Sequence, residues 1–297
     1  MYIATKTLQA INNAIEKDNG NTYRSYLGQV IPHIGDAYRV DNMPFRTHLG
    51  ASLIGQSCGL KLWFSFRWFK KPSFDARMQR LFNRGHLEEA RFIALLLAAG
   101  IQVYQQDENG KQFRISDCSG HFGGSGDGII VGCPDLPLNV RALSEFKTHN
   151  DKSFTKLTKE GVRSAKPEHY VQMQIYMHKM NLNYALYLAV NKNDDSLHGE
   201  IIVRDDVTAL KYIDRAENII FCETVPSKYS MSQAHFVCKI CDYKNICHNR
   251  QSFEKNCRTC MFGKPVKDSK WQCDLHNKTI DEYEQFNGCD RYEALKL

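Results

Sequence analysis

The chain has 297 residues, including 39 lysines and arginines against 33 aspartates and glutamates, for a net charge of +6. A hydrophobic content of 42% and a charged content of 24% place it among ordinary globular proteins. Its longest apolar run, residues 92–101, is about half of what a membrane span needs, and no signal peptide is visible. We therefore expect a cytosolic protein with no membrane association, whose modest positive charge favours a polyanionic partner.

The 11 cysteines need an explanation other than disulfides, because the cytosol keeps thiols reduced. Seven of them follow residue 237, and such clustering indicates metal ligation. The length suffices for one large α/β domain with an appendage, or for two modest domains.

The first third of the chain is read mainly from its apolar periodicity. The spacing predicts a helix over residues 3–17, a loop-rich connection over 21–45, and a strong helix over 75–99. Ser52 could cap a short helix that leads to Cys58. The aromatic and basic run 62–71 either fills the core, which we favour, or stacks on the bases of a single nucleic-acid strand.

Two short predicted strands carry the residues with the clearest chemistry. Asp127 opens an apolar strand, and Glu145 and Lys147 project from one side of the next because strand side chains alternate. If the strands pair with Asp127 on that side, two carboxylates and an ammonium converge. Close carboxylates repel unless a cation lies between them, and oxygen ligands suit Mg²⁺ or Mn²⁺. With a lysine to orient a metal-bound water, such a set can hydrolyse a phosphodiester, whereas the plainer interpretation is a solvated strand edge.

The flanking segments add further candidates. His86 and Glu89 share a helix face, and residues 101–106 and 111–117 read as strands joined by a turn at 108–110. After Glu145 comes either a solvated lysine-rich loop or a phosphate-contacting segment. Its basic residues are Lys152, Lys156, Lys159, Arg163 and Lys166.

The remaining elements complete a mixed sheet flanked by helices. Pro167 starts a helix on which Gln172 and Tyr176 share a face. Strands are predicted over 184–190 and 199–203, and a helix over 206–222. This order predicts an α/β fold with a mixed central sheet.

The late cysteines form two groups. Cys238, Cys241 and Cys247 are one thiolate short of the four that zinc or a cubane cluster requires. The residues that could supply the fourth ligand are Cys58, Cys222, Cys257, His235 and His248. The tail adds a set typical of structural zinc, with His276 as a spare ligand, and this set comprises Cys257, Cys260, Cys273 and Cys289. Cys118, Cys133 and Cys222 are taken as buried or incidental thiols.

Asp127 followed by Glu145-x-Lys147 resembles the PD-(D/E)XK nuclease superfamily, with Gly126 where a proline is usual, as in the RecB-type exonuclease branch. The resemblance implies a restriction-endonuclease-like core and a metal ion held by His86, Asp127, Glu145 and the Phe146 carbonyl. Glu88 or Glu89 would support it. Gln172 and Tyr176 resemble the glutamine–tyrosine motif that lies beside the active site in that branch.

Cys58 together with the C-x2-C-x5-C cluster resembles the iron–sulfur nucleases of the AddAB and CRISPR-adaptation families. This implies a 4Fe–4S cluster on Cys58, Cys238, Cys241 and Cys247, with a zinc ribbon of late cysteines as the alternative. The segments expected are a nuclease core over 1–235, a cluster segment over 236–250 and a cysteine-rich zinc-binding tail over 251–297.

The resemblance implies a Mg²⁺- or Mn²⁺-dependent deoxyribonuclease, most simply a stand-alone exonuclease of phage or bacterial DNA recombination and processing. We expect it to act on DNA ends in the cytoplasm of a bacterium or phage-infected cell, where a single-strand-annealing or recombination protein could be its partner. The alternatives are a nuclease-fold DNA-binding or recombination-mediator protein and a structure-selective endonuclease that trims DNA ends. Polarity, strand preference and oligomeric state are left open by the sequence.

Overall fold

A computed structural model of the chain describes residues 1–40 and 43–297. The chain forms two compact units that interleave along the sequence. One comprises Met1–Asp41, Phe74–Ile115 and Ser125–Ala209, and the other comprises Asn42–Ser73, Ser116–Gly124 and Leu210–Leu297. The predicted functional segments 1–235, 236–250 and 251–297 follow a different division and stay a prediction.

The elements are numbered in chain order. The helices are α1 (Thr5–Lys17), α2 (Asn21–Val30), α3 (Gly35–Tyr38), α4 (Gly59–Phe66), α5 (Ala76–Ala98), α6 (Asp151–Ala165), α7 (Pro167–Lys179), α8 (Asp206–Phe221), α9 (Phe236–Lys239), α10 (Lys244–Asn249) and α11 (Glu282–Asn287). The strands are β1 (Leu49–Gly50), β2 (Gln102–Tyr104), β3 (Arg114–Asp117), β4 (Phe122–Ser125), β5 (Gly128–Val131), β6 (Arg141–His149), β7 (Tyr184–Asn191), β8 (Leu197–Val203), β9 (Gly263–Pro265), β10 (Trp271–Cys273) and β11 (Lys278–Ile280).

The first unit is built on a five-stranded sheet with the order β2-β5-β6-β7-β8. Strands β6 and β7 pair in parallel and the other neighbours pair antiparallel, so the sheet is mixed, as predicted. Strands β6 and β7 are almost wholly buried, as expected of central strands covered by helices. The predicted α/β fold with a mixed, helix-flanked sheet is confirmed.

Helix α5 has one end packed in this core and the other end exposed to solvent. Asp75 caps it by accepting a hydrogen bond from the Met78 N–H at 2.7 Å. Its C-terminal half is buried, and Phe92 stacks on Phe146 of β6 with ring centroids 5.1 Å apart. Its N-terminal half, from Ala76 to His86, is exposed or half-buried. The helix therefore has an anchored half and a solvent-facing half.

Three local predictions are wrong. The stretch 21–45 is largely helical rather than a loop, because α2 packs on α5 and Val30 and Ile34 join the core; its residues 41 and 42 lie outside the described residues. Residues 51–57 form turns instead of a helix capped by Ser52, and the helix starts after Cys58, whose thiol accepts the Lys61 N–H at 3.4 Å.

The loop interpretation of residues 152–166, one of the two left open, is also wrong, because this stretch is helix α6. Asn150 caps it by accepting from the Ser153 N–H at 2.9 Å, and Phe154 and Leu157 anchor it in the core. The helix kinks at Gly161, whose φ of +75° is in the left-handed region that favours glycine.

The predicted turn at 108–110 is confirmed, with the Asp107 N–H donating to the Lys111 carbonyl at 2.8 Å. The strands on either side do not pair with each other along their length. Strand β2 pairs with β5, whereas β3 belongs to a three-stranded sheet with the order β1-β4-β3.

The second unit has an aromatic core and a small sheet with the order β11-β10-β9. The large side chains of the 62–71 run are buried, so the core interpretation of that run is confirmed; they are Leu62, Trp63, Phe64, Phe66, Trp68 and Phe69. The buried Arg258 guanidinium stacks on the Trp68 ring, 3.7 Å from its centroid. Among the described residues, no helix has the length and apolar content to cross a membrane.

Candidate active site

The hairpin of β5 and β6 brings the predicted carboxylates and the lysine together. The register pairs Gly128 with Ser144, and one step further Asp127 stands opposite Glu145. The Asp127 carboxylate accepts the Phe146 N–H at 2.7 Å, which holds it against β6. The Lys147 ammonium donates to the Glu145 carboxylate on the same face of the strand. The three side chains predicted from the sequence therefore meet at one place.

Glu145 is fully buried, and this burial has an electrostatic cost. Burial raises the pKa of Glu145, Lys147 opposes the rise and Asp127 adds to it. Gln172 also lowers the pKa, and Glu145 Oε2 has no hydrogen-bond partner among the described residues. A buried carboxylate oxygen without a firm partner, next to a second carboxylate, fits a cation.

Helix α5 supplies the opposite wall. A cavity of about 630 Å³ is lined by His86 and Glu89 from α5 and by Asp127 and Lys147 from the hairpin. Burial raises the pKa of Glu89, and Asp127 adds to the rise. Glu88 instead forms an ion pair with Arg91 at 3.0 Å. Of the two glutamates that sequence reasoning left open, Glu89 is the one that lines the cavity.

His86 lines the same cavity but is exposed, whereas Glu89 is half-buried. Both side chains belong to one helix face, as their spacing predicts. For a hard cation, the oxygen donor Glu89 is the more suitable of the two ligands.

Gln172 and Tyr176 are both buried on α7. Gln172 lies close enough to Glu145 to affect its pKa. Tyr176 packs in the core near Gly126, just before Asp127. Their positions suit roles in orienting the hairpin.

The sequence reasoning missed a cluster of neutral polar groups in the cavity wall. The Tyr187 hydroxyl lies 2.9 Å from His149 Nε2 and 3.0 Å from His169 Nδ1. Burial lowers the pKa of His149 to about 4 and that of His169 to about 2, and the positive charges of nearby lysines add to the decrease. Strand alternation from Glu145 through Lys147 reaches His149, so this residue could have been found; His169 and Tyr187 come from other elements.

The basic residues predicted to contact phosphate lie along α6. Spacings of four and three residues place Lys152, Lys156 and Lys159 on one exposed stripe, and Arg163, also exposed, follows the kink at Gly161. Lys166 follows the helix and lines the cavity. A stripe of this kind requires the helix, which neither of the two interpretations of this segment included.

Within residues 1–40 and 43–297, no group of three or more His, Cys, Asp or Glu side chains stands close enough to hold a metal ion. At the hairpin, the positive charge beside the Glu145 carboxylate is the Lys147 ammonium. The donor set itself, with Glu89 and Asp127 lining the cavity and the buried Glu145 on the same hairpin as Asp127, fits Mg²⁺ or Mn²⁺ chemically.

The second unit gathers both predicted cysteine sets. Cys58, Cys238, Cys241 and Cys247 line one cavity of about 20 Å³. The tail set, Cys257, Cys260, Cys273 and Cys289, lines another of about 10 Å³. Burial raises the pKa of Cys257 to about 11, and the three other thiols of its set add to the rise. His276 Nε2 lies 3.8 Å from Cys289 Sγ.

Comparisons with known proteins found distant structural matches. No protein-family profile and no curated protein sequence matches the chain. The alkaline exonuclease LHK-Exo from Laribacter hongkongensis is 20% identical, with a TM-score of 0.40 over 58% of this chain and 86% of its own. The structure of the same enzyme in complex with dAMP is 18% identical in sequence, with a TM-score of 0.41 over 58% of this chain and 86% of its own. The structure of SSO0001 is 13% identical in sequence, with a TM-score of 0.39 over 75% of this chain and 95% of its own. At TM-scores below 0.5, these similarities carry no information on activity.

Proposed function

We propose that the protein is a divalent-metal-dependent nuclease that hydrolyses phosphodiester bonds in DNA. The observation that supports this most is the meeting of Asp127, Glu145 and Lys147 on one hairpin, beside a cavity that Asp127, Lys147 and Glu89 line. A protein that only binds DNA has no use for a fully buried carboxylate paired with a lysine beside two further carboxylates. The proposal includes membership of the PD-(D/E)XK superfamily.

In this proposal each side chain has a defined task. Glu89, Asp127, Glu145 and the Phe146 carbonyl would hold Mg²⁺ or Mn²⁺, with His86 at the edge of the site. A bound ion of this kind supplies a water of lowered pKa and stabilises charge on the phosphate. Lys147 positions the attacking water and neutralises negative charge that develops on the phosphate oxygens. Gln172 orients Glu145, and the Asp127 contact with the Phe146 N–H fixes the hairpin.

DNA is the proposed substrate because the cavity floor is acidic while its surroundings are basic. The α6 stripe, with Lys166 at the cavity, can contact the phosphate backbone. A role at DNA ends, as a phage or bacterial exonuclease in recombination or processing, is the most economical form of the proposal. End trimming by an endonuclease is its variant.

Both cysteine sets are proposed as metal sites. We assign structural Zn²⁺ to the tail set, whose cavity of about 10 Å³ is the size of one bound ion or water. For the Cys58 set we keep a 4Fe–4S cluster, with Zn²⁺ as the alternative; the larger cluster requires the four thiols to move apart from a cavity of about 20 Å³. A brown protein with broad visible absorption that bleaches on oxidation is expected for the cluster, and a colourless anaerobic preparation that contains only zinc would contradict it.

The function is tested by incubating the protein with linear single- and double-stranded DNA, labelled in turn at each end, with and without Mg²⁺ or Mn²⁺. Metal-dependent release of labelled nucleotides from ends is expected, and cuts at internal positions would instead support the endonuclease variant. Lys147→Ala should remove cleavage; circular dichroism checks that the variant folds, because the change leaves the buried Glu145 without its ammonium partner. Full cleavage by folded Lys147→Ala protein, or binding without any cleavage by the unaltered protein, would contradict the proposal and favour a DNA-binding or mediator protein.

A further inference from the structure

Hydrogen bonds join five polar side chains at one side of the cavity into a continuous series. Lys166 contacts the Ser153 hydroxyl, which lies 3.2 Å from His149 Nδ1. His149 Nε2 lies 2.9 Å from the Tyr187 hydroxyl, which in turn lies 3.0 Å from His169 Nδ1. We call these five residues the histidine network. Its two histidines, its serine and its tyrosine have no task in the proposed reaction.

Lys166 sets the direction of the protons in the network. An ammonium group only donates, so the Ser153 oxygen accepts from Lys166. The Ser153 proton then needs an acceptor, and within residues 1–40 and 43–297 the only one that contacts it is His149 Nδ1. His149 therefore accepts at Nδ1 and carries its own proton on Nε2.

The same reasoning extends through the tyrosine to the second histidine. The His149 Nε2–H donates to the Tyr187 oxygen, so the Tyr187 proton goes to His169 Nδ1. A histidine that accepts at Nδ1 bears its proton on Nε2. In the reverse order Ser153 would accept from both Lys166 and His149, and its proton would have no acceptor in the described part of the chain.

The Nε2 atom of His169 is the open end of the network. His169 is half-buried and lines the cavity. Among the described residues, its Nε2 makes no hydrogen bond, and this atom is not shielded from solvent. A ligand in the cavity can therefore meet this N–H.

Other donors share the cavity with His169. Burial is the main cause of the lowered pKa of His169, and the Lys147 charge adds to it, so Lys147 lies near this ring. Lys147 and Lys166 line the same cavity, together with Glu168, a carboxylate next to His169 in the sequence. Two ammonium groups and a neutral N–H suit a ligand with several negatively charged oxygens, such as a phosphate.

We propose that His169 donates its Nε2–H to a phosphate oxygen of the substrate, and that Ser153, His149 and Tyr187 are positioning residues that fix this tautomer. The identity of the ligand rests on the proposed function, whereas the tautomer does not. Because the donor is uncharged, it stabilises negative charge on a phosphate oxygen without repelling a cation held by the carboxylates of the same cavity.

The tautomer is tested by nitrogen-15 NMR of the histidine rings in EDTA at pH 7, with the His169 signals assigned from a His169→Ala variant. We expect a single neutral tautomer of His169 with its proton on Nε2. The ring should stay neutral at about pH 5.5, where an ordinary histidine with a pKa of about 6.5 is mostly charged. A proton on Nδ1, or a doubly protonated ring at pH 7, would overturn the proposal.

A second variant tests whether the network sets the tautomer. Lys166→Met removes the donor that fixes the Ser153 proton, so we expect His169 to become a mixture of both neutral tautomers. Lys152→Met, an exposed lysine in the first turn of α6, is the control and should leave the single tautomer unchanged. An unchanged single tautomer in Lys166→Met would show that the network has no such role.

Contact with phosphate is tested by adding a short thymidine oligonucleotide in EDTA. The His169 Nε2 signal should shift, while the signals of His178, which lies on the same helix but does not line the cavity, should not. With Mg²⁺, His169→Ala should cleave DNA roughly 10- to 100-fold more slowly, and His178→Ala should cleave at the unaltered rate. A His169 signal that does not respond to the oligonucleotide would contradict the contact.

The positioning role of Tyr187 is tested by a double-mutant cycle. Tyr187→Phe should slow cleavage several-fold in the otherwise unaltered protein and have no effect in the His169→Ala background, because Tyr187 acts through His169. Tyr184→Phe, on the opposite face of the same strand, is the control for the loss of a hydroxyl. Equal losses in both backgrounds would contradict the assigned role.

The two proposals can fail separately. If no metal ion supports cleavage but His169 keeps its tautomer and responds to the oligonucleotide, the nuclease proposal is lost and the donor is retained. If His169→Ala cleaves DNA at the unaltered rate, the donor is lost and the nuclease proposal is retained.

Discussion

The carboxylate cavity and the cysteine tail are both candidate metal sites, but they differ in what surrounds them. The cavity lies against a five-stranded sheet with a large apolar core, and Lys147 already neutralises Glu145 there. The tail has three strands of three residues each, and two of its own thiols, Cys260 and Cys273, are among its buried residues. We infer that metal serves chemistry in the first site and folding in the second.

The largest expected effect is on the tail. Cys260→Ser removes a buried thiol from the proposed zinc site. In small zinc domains the free energy of zinc binding, ~10 kcal/mol, contributes to folding. The tail of this variant should therefore unfold and become protease-sensitive. The measurements are limited proteolysis and zinc content per chain. Cys222→Ser, a thiol outside both sets, is the matched control, and equal protease resistance in the two variants would remove the structural role of the tail metal.

The cavity should behave in the opposite way. Asp127→Asn retains the shape of the side chain but removes its charge, so we expect cleavage to fall by at least ~10²-fold with little change in melting temperature. Rates are compared at saturating Mg²⁺ and Mn²⁺, with melting followed in parallel. A loss of melting temperature as large as that of the tail variants would erase the contrast between the two regions.

A smaller effect is expected at Gln172, which we assign as a positioning residue for Glu145. Gln172→Ala should lower cleavage by roughly 10- to 100-fold and shift its pH profile, because the ionisation of Glu145 changes. Gln174 on the same helix is also buried but donates to the Val203 carbonyl at 3.0 Å, away from the hairpin. Gln174→Ala should lower stability without shifting the pH profile, and identical profiles in both variants would argue against the assigned role.

The smallest effect concerns the pH dependence of stability in the metal-free protein. Burial raises the pKa values of Glu89 and Glu145 above the ordinary 4.5, so the folded state binds protons more tightly than the unfolded chain. Stability is then highest below pH 4.5 as far as these two groups are concerned, and decreases as pH rises through their raised pKa values. Saturating Mg²⁺ should cancel this loss, since a bound cation favours the ionised carboxylates. Denaturant unfolding across the pH range, with Mg²⁺ and with EDTA, measures it; an Asp127→Asn control should show a weaker dependence.

The sequence by itself determined the elements whose apolar pattern is strong and local. The α5 and α7 helices, the β5–β6 hairpin and the alternation of Glu145 and Lys147 all follow from periodicity and turn chemistry, which neighbouring residues control. The two cysteine sets could also be listed from spacing, and the structure places each set around a cavity of its own. What these metal-site candidates bind stays a prediction.

Only the tertiary structure decided the rest. Helix α2 forms where the sequence predicted a loop because Val30 packs in the core, and α6 becomes a basic stripe because Phe154 and Leu157 anchor its other face. The choice of Glu89 over Glu88, and the meeting of His149, His169 and Tyr187, depend on contacts between residues far apart in the chain. Local patterns cannot encode such contacts, because burial and charge pairing are properties of the folded whole.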